Sequence, residues 1–344
     1  MVTIKKVAEA AGVSVSTVSR ALTGSKKVNE AVKKRIIKIV QELNYTPNLS
    51  ARALTGKGTK LIGMVVPEVE SNYYAQLIDH VETELSARGY ALMIATTGFD
   101  SEKGLKTLDI LMGRNVDGIL YADLIGKGNK GLFEKSKINL SCPTIFFDPV
   151  SEIAGRECVV IDEAHGIALL VRHLAELGHR SIGFIGEALS KERRLSPFRK
   201  ALADSELVFD EKFVRTDGAE RFELGGYLRM KELIASGELP TAIIASYDYI
   251  AIGAMKALHE HSIRVPEDLS IAGYDNIRES EYVFSPLTTI CPPIKEAAFR
   301  AVHILTEAIE NERQSLAART VFYPELVVRQ STGVPGKQSI SAGN

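Results

Sequence analysis

The first twenty residues restrict this chain more than any other stretch. In Thr3-Ile-Lys-Lys-Val-Ala-Glu-Ala-Ala-Gly-Val-Ser-Val-Ser-Thr-Val-Ser-Arg-Ala-Leu22, apolar residues at Ile4, Val7, Ala8 and Ala11 keep helical spacing. Gly12 supplies the positive-φ residue that ends a short amphipathic helix. Ser14 is placed to cap a second helix by accepting from amides two or three residues on. That helix turns Val18, Ala21 and Leu22 inward and leaves Val15, Ser16, Ser19 and Arg20 outward. Two short helices about a glycine turn predict a helix-turn-helix, whose second helix has the width to enter a DNA major groove. The outward residues are small or hydroxylated, with one arginine able to fork onto a guanine edge. The alternative is an ordinary helical hairpin at a domain end.

Charge separates the two readings. The chain of 344 residues carries a net charge of −1, yet residues 1–60 hold twelve Lys/Arg against three acids. That segment is therefore +9 and the remaining 284 residues −10. A basic module on an acidic body fits a phosphate-binding head joined to a core that does not bind DNA. The length suffices for roughly two or three domains with ample core.

Cys142, Cys158 and Cys291 lie far apart, in or beside apolar runs, without metal-ligand spacing. They read as buried thiols in a reducing compartment. The start Met-Val-Thr-Ile-Lys-Lys has no apolar signal core, and no run reaches membrane length. The expectation is a soluble cytoplasmic protein with no metal site, no cofactor and no membrane contact.

Past Leu22, Thr-Gly-Ser-Lys-Lys is a basic turn, and Asn29 caps a predicted third helix to about Leu43. Next comes Tyr45-Thr-Pro-Asn-Leu-Ser-Ala-Arg-Ala-Leu-Thr-Gly-Lys-Gly58, bracketed by Pro47 and two glycines. It is too short for a stable free helix and reads as a linker that becomes helical when held. Leu54 either docks on the core or inserts between base pairs in the minor groove. From Lys60 apolar strands alternate with amphipathic helices, first over 61–147 and again from Val159. That rhythm predicts parallel sheets covered on both faces.

Residues 1–58 resemble the head and hinge of the lactose-repressor/galactose-repressor (LacI/GalR) family of bacterial regulators. The motifs are Thr-Ile-x-x-Val-Ala-x-x-Ala-Gly-Val-Ser-x-x-Thr-Val-Ser-Arg and Tyr-x-Pro-Asn-x-x-Ala-Arg-x-Leu. The likeness runs to about Thr332. It implies an all-α head over 1–46, a hinge over 47–60 and an α/β core over 61–332 of two doubly wound, periplasmic-binding-protein-like lobes. The chain would cross between lobes near 162, 291 and 322, so lobe one takes 61–161 and 292–321, and lobe two 162–291 and 322–332. The tail, 333–344, lacks periodicity and reads as disordered. It has no leucine heptads for a tetramer-forming coil. The resemblance places DNA contacts at Thr3, Ser14, Val15, Ser16, Thr17, Arg20, Asn29 and Tyr45, with hinge contacts at Asn48, Ala51 and Leu54.

Ligands in open α/β sheets sit at the carboxyl ends of strands. After successive strands come Tyr73-Tyr74, Asp148, Arg193-Arg194, Tyr247-Asp248 and Tyr274-Asp275. Carboxylates that accept from vicinal hydroxyls, a donating arginine and a ring over the C–H face suit a polyhydroxylated ligand. Asp248 also reads as a helix cap, and Asp275 as a residue ordering its own turn. The resemblance implies effector contacts at Tyr73, Tyr74, Asp148, Arg194, Asp248 and Asp275. Arg193 and Tyr247 adjoin them. Pro197 stands where the family usually has glycine. Arg221 takes the place of a ligand-covering aromatic that a one-residue shift would restore as Phe222.

The expected protein is a homodimeric regulator, a repressor of a carbohydrate-use operon. It binds a pseudo-palindromic duplex under control of a sugar or sugar-derived effector held between the lobes. An anionic effector is the alternative that the arginines leave open. An α/β enzyme is the first rival, but no Gly-x-x-x-x-Gly-Lys-Ser/Thr, Gly-x-Ser-x-Gly or metal-spaced histidine cluster is present. A sugar-binding module without DNA function is the second, and the basic head argues against it.

Overall fold

The computed structural model describes residues 2–22, 27–45, 58–123, 140–149, 156–311 and 318–336. The chain divides into two compact units, Met1–Lys60 and Leu61–Asn344.

Among the described residues the first unit holds three helices, α1 (Ile4–Ala11), α2 (Val15–Leu22) and α3 (Glu30–Glu42). Gly12 ends α1 in the left-handed region at φ 59°, with its amide donating to Ala8 and Glu9. The Ser14 hydroxyl accepts from the Thr17 amide at 3.2 Å, and Asn29 accepts from the Ala31 amide at 2.8 Å. The apolar stripes of all three helices meet in one core of Val7, Ala8, Ala11, Val18, Ala21 and Ile36, closed by Val28 and Tyr45.

Among the described residues the second unit contains two six-stranded sheets. In the first, β1 (Leu61–Val66), β2 (Ala91–Thr96), β3 (Gly118–Tyr121), β4 (Thr144–Phe147), β5 (Cys158–Ile161) and β11 (Arg319–Phe322) run in the order β11-β5-β4-β3-β1-β2. All of its pairings are parallel. In the second, β6 (Ile182–Ile185), β7 (Val214–Arg215), β8 (Ala242–Ala245), β9 (Ser270–Tyr274), β10 (Thr288–Cys291) and β12 (Glu325–Val327) run β12-β10-β9-β8-β6-β7. Only the β10–β12 pairing of this sheet is antiparallel. The chain thus leaves the first sheet after Ile161, returns after Cys291 and leaves again after Phe322.

Helices cover both faces of each sheet, which is why strands such as β1, β6 and β8 read as unbroken apolar runs. On the first sheet α4 (Asn72–Ala87) and α10 (Ile294–Glu310) cover one face and α5 (Ser101–Gly113) the other. On the second, α6 (Glu163–Glu176) and α7 (Ser196–Asp204) lie opposite α8 (Phe222–Ala235) and α9 (Asp248–Glu260). The α8–α9 crossing is backbone on backbone. A Cβ on Gly226 would lie 2.0 Å from the Ile250 carbonyl oxygen, and one on Gly253 1.8 Å from that of Glu223.

The structure departs from the sequence reading at the start of the tail. Gly333–Gly336 are packed rather than disordered. The Gly333 carbonyl accepts from the His179 Nε2–H at 2.8 Å and from the Ser270 hydroxyl at 3.3 Å. Its amide donates to Ser270 Oγ at 3.0 Å. Backbone hydrogen bonds hold Gly333 where side-chain periodicity gives no signal. Residues 337–344 lie outside the described residues.

Candidate functional site

The head presents Thr3, Ser14, Val15, Ser16, Arg20 and Asn29 exposed, with Thr17 half-buried. Val15, Ser16 and Arg20 share the face of α2 opposite buried Val18 and Ala21. Ser14 and Asn29 are both engaged as helix caps, and the Ser14 hydroxyl also lies 2.9 Å from those of Ser16 and Thr17. Tyr45, expected among the DNA contacts, packs in the head's core and is 9% exposed. Its ring closes the three-helix bundle after α3, a role its position in the motif does not reveal. Asn48, Ala51 and Leu54 lie outside the described residues.

The second unit contains a cavity of about 120 Å³ between the carboxyl ends of the two sheets. That volume limits it to a small molecule. Tyr73, Tyr74, Asp148, Arg193, Arg194, Arg221, Tyr247 and Asp275 all line it. Phe222 does too, so Arg221 and the aromatic beside it both face the cavity.

Asp248 does not. It is fully buried behind the wall, where Oδ1 accepts from the Thr289 hydroxyl at 2.6 Å and Oδ2 from the Ile277 amide at 2.9 Å. Gly273 makes room for it, since a Cβ there would lie 2.1 Å from Asp248 Oδ1. Burial raises the Asp248 pKa far above the usual carboxylate range, although the Thr289 hydrogen bond opposes the shift. Its role in the structure is to tie the loop after β9 to the start of α9.

Glu68, Glu163 and Glu187 also line the cavity, and the sequence reading passed over all three. Each stands two residues beyond the end of a strand, β1, β5 and β6. The rule that pointed to Asp148 therefore also reaches them.

The charged side chains form a chain of ion pairs. Arg193 contacts Asp148 through Nη2 and Glu163 through Nε at 2.8 Å. Arg194 reaches Glu163 at 2.9 Å and Asp275 at 3.4 Å. It also donates to the Ser246 carbonyl, and its guanidinium lies 4.0 Å over the Tyr274 ring. A π-helical turn at Lys191–Leu195 aims these consecutive arginines into one cleft. Pro197 then sits in the first turn of α7, where its missing N–H costs nothing. At the other end Arg221 is 3.3 Å from Glu187 and 3.7 Å from Glu68. Asp148 and Glu68 come from the first sheet's side and the arginines from the second, so these pairs join the lobes across the cavity.

Titration follows from burial and pairing. Burial alone would raise Glu163, but Arg193 and Arg194 outweigh it and hold the carboxyl below its ordinary value. Burial lifts Asp148 above its ordinary value, and Arg193 offsets only part of the shift. Asp275 is pushed up from 3.8 to about 6 by burial and by Glu163, against Arg194. Backbone conformation adds to the constraint. Asp148, Phe222 and Asp275 adopt φ of 50°, 55° and 101°. Such conformations cost free energy and collect at binding sites. At Phe222 the amide donates to Glu187 Oε1 at 3.0 Å, which helps hold the strained residue in place.

A raised carboxyl pKa has a definite stability signature. Below pH 3.8 Asp275 is protonated folded or unfolded, so its contribution to stability is fully present. As pH rises through about 6, the unfolded chain releases the proton first and that contribution is lost. Asp275→Asn, which mimics the protonated form, should match the wild type near pH 4 and exceed it by about 3 kcal/mol at pH 7.5. Urea unfolding at both pH values measures the difference. A variant less stable than the wild type at pH 7.5 would contradict the raised pKa.

Comparison with known proteins agrees with this architecture. Residues 3–48 match the family model for bacterial regulatory proteins of the lacI family, and residues 171–332 the model for a periplasmic binding protein-like domain. The ribose operon repressor of Haemophilus influenzae is 33% identical over 96% of this chain and 98% of its own length. The transcriptional repressor PurR of Actinobacillus pleuropneumoniae is 34% identical over the same shares. The solved structure of the lac repressor dimer, bound to operator and the anti-inducer ONPF, matches with a TM-score of 0.85. It is 25% identical over 96% of this chain and 99% of that one. These relatives are repressors and not enzymes. On this likeness across nearly the whole length, the chain belongs to the lacI family of bacterial regulatory proteins.

Proposed function

We propose that the protein is a homodimeric cytoplasmic repressor of a carbohydrate-use operon whose hold on its operator is set by a small sugar-like effector in the cleft. The observation that carries the effector half is the lining itself. Five carboxylates, three arginines and the rings of Tyr73, Tyr74, Phe99, Phe222 and Tyr247 converge on one small cavity. Carboxylates accept from paired hydroxyls and rings cover the C–H faces of a sugar. Among the described residues no helix is long and apolar enough to cross a membrane.

For the DNA half, the exposed face of α2 supports base reading by Val15, Ser16 and Arg20, with the basic surroundings holding phosphates. Two heads reading two half-sites require a pseudo-palindrome. Asn48, Ala51 and Leu54 serve as hinge contacts at its centre, Leu54 as the inserted residue. A second copy is the proposed cover for Tyr282 and Phe284, which are 75% and 104% exposed beside an apolar groove that Ile252, Met255 and Val283 help line. An effector that binds the closed and open cleft unequally shifts the spacing of the two hinges and so the operator affinity.

Arg20→Ala tests the base-reading assignment. It should weaken the preferred duplex by about 1–3 kcal/mol and relax selectivity at one base pair. Binding to duplexes varied one position at a time measures both. Equal weakening on every duplex would make Arg20 a phosphate contact and sink the assignment.

A further inference from the structure

The charges in the cleft do not cancel. The lining carries two more carboxylates than guanidiniums, from Glu68, Asp148, Glu163, Glu187 and Asp275. Every arginine is already committed. Arg193 and Arg194 each contact two carboxylates and are 16% and 11% exposed. Arg221 lies between Glu187 and Glu68, with its guanidinium 4.4 Å over Phe222 and 4.9 Å over Phe99. An entering anion would have to separate one of these pairs, and the displaced carboxylate would be left buried and uncompensated.

For a donor the situation is reversed. Glu68 Oε2 accepts from the Glu70 and Ser71 amides at 2.8 and 3.0 Å. Its other oxygen, Oε1, is buried and accepts no hydrogen bond among the described residues. Arg221, at 3.7 Å, lies beyond hydrogen-bond reach of it. A buried acceptor without a donor is costly, so a ligand that brings a hydroxyl or an ammonium to this oxygen recovers that cost.

We propose that the cleft selects its ligand by charge. It takes neutral and cationic polyhydroxylated molecules, binds an amino-bearing one most tightly at Glu68, and rejects their carboxylated and phosphorylated counterparts. This inference rests on the effector reading above.

The test is a thermal-shift scan of the full chain at pH 7.5, followed by titration calorimetry. The probes are matched sets of pentoses, hexoses and disaccharides, each as the neutral sugar, its amino-deoxy form, its aldonate and its phosphate. The stabilising sets should rank amine first, neutral parent second and both anions at least tenfold weaker than the parent. Glu68→Gln should remove most of the amine's advantage over its neutral parent. An aldonate or phosphate that outranks its parent overturns the charge selection and leaves the effector reading standing. An amine advantage that survives Glu68→Gln overturns the role of Glu68. A panel in which nothing stabilises overturns both readings.

Discussion

Arg193→Ala is expected to destabilise the core by about 3–5 kcal/mol, since removing one partner of a buried ion pair strands the other. Here it strands two, because Asp148 and Glu163 both face Arg193. Tyr73 already donates to Asp148 at 3.3 Å and cannot replace a positive charge. The loss should be larger at pH 8 than at pH 5, where the stranded carboxyls take up protons at less cost. Urea unfolding at the two pH values measures it. A loss below about 1 kcal/mol, or one independent of pH, would mean that water and neighbouring side chains compensate the cavity and that Arg193 is not its keystone.

The second large effect is steric. Gly253→Ala places a methyl 1.8 Å from the Glu223 carbonyl oxygen and 2.6 Å from its carbonyl carbon. No rotamer relieves a clash between backbone and Cβ, so α8 and α9 must separate. The expected loss is about 3 kcal/mol or more, against the roughly 1 kcal/mol that alanine gains over glycine inside a helix. Gly113, at the end of α5, has nothing within 4 Å of its would-be Cβ, so Gly113→Ala serves as the matched control and should be neutral or stabilising. The cost also reaches the cleft. Phe222 begins α8, Tyr247 caps α9, and their ring centroids lie 6.3 Å apart. Moving the two helices apart should weaken ligand binding even in protein that remains folded. Equal stability of the two glycine variants would contradict the close crossing.

Some of this was legible in the sequence and some was not, for identifiable reasons. The three head helices and the long helices of the core are written in apolar spacing, which reports burial directly. The sequence reading placed no strand at β7, β10, β11 or β12. They have two to four residues, and Thr288 and Thr289 give β10 a polar look although both are fully buried. In the cleft, residue type and distance from a strand end pointed to Tyr73, Tyr74, Asp148, Arg193, Arg194, Tyr247 and Asp275, and the family resemblance to Arg221. They could not distinguish Asp275, which faces the cavity, from Asp248, which points away from it. Both follow strands by a few residues. What separates them is side-chain direction, set at Asp248 by the α9 start and by the space over Gly273. Glu163 was hidden for the opposite reason, because an acidic residue in the first turn of α6 already has an ordinary explanation there. Its pairing with two arginines from a segment some thirty residues on emerges only once α6 and the π-helical turn pack together within the second lobe.

The central claim is that one chain reads a duplex and lets a cleft ligand set how tightly it does so. Its most direct test is fluorescence anisotropy of the full chain on a duplex enriched by that chain from a random library. Affinity is measured with and without the sugar that best stabilises the core. The expected result is enrichment of a pseudo-palindrome, an affinity that falls steeply with salt, and a shift of about five- to 150-fold on adding the sugar. Enrichment of no sequence, or an operator affinity unmoved by a ligand that demonstrably fills the cleft, would contradict it.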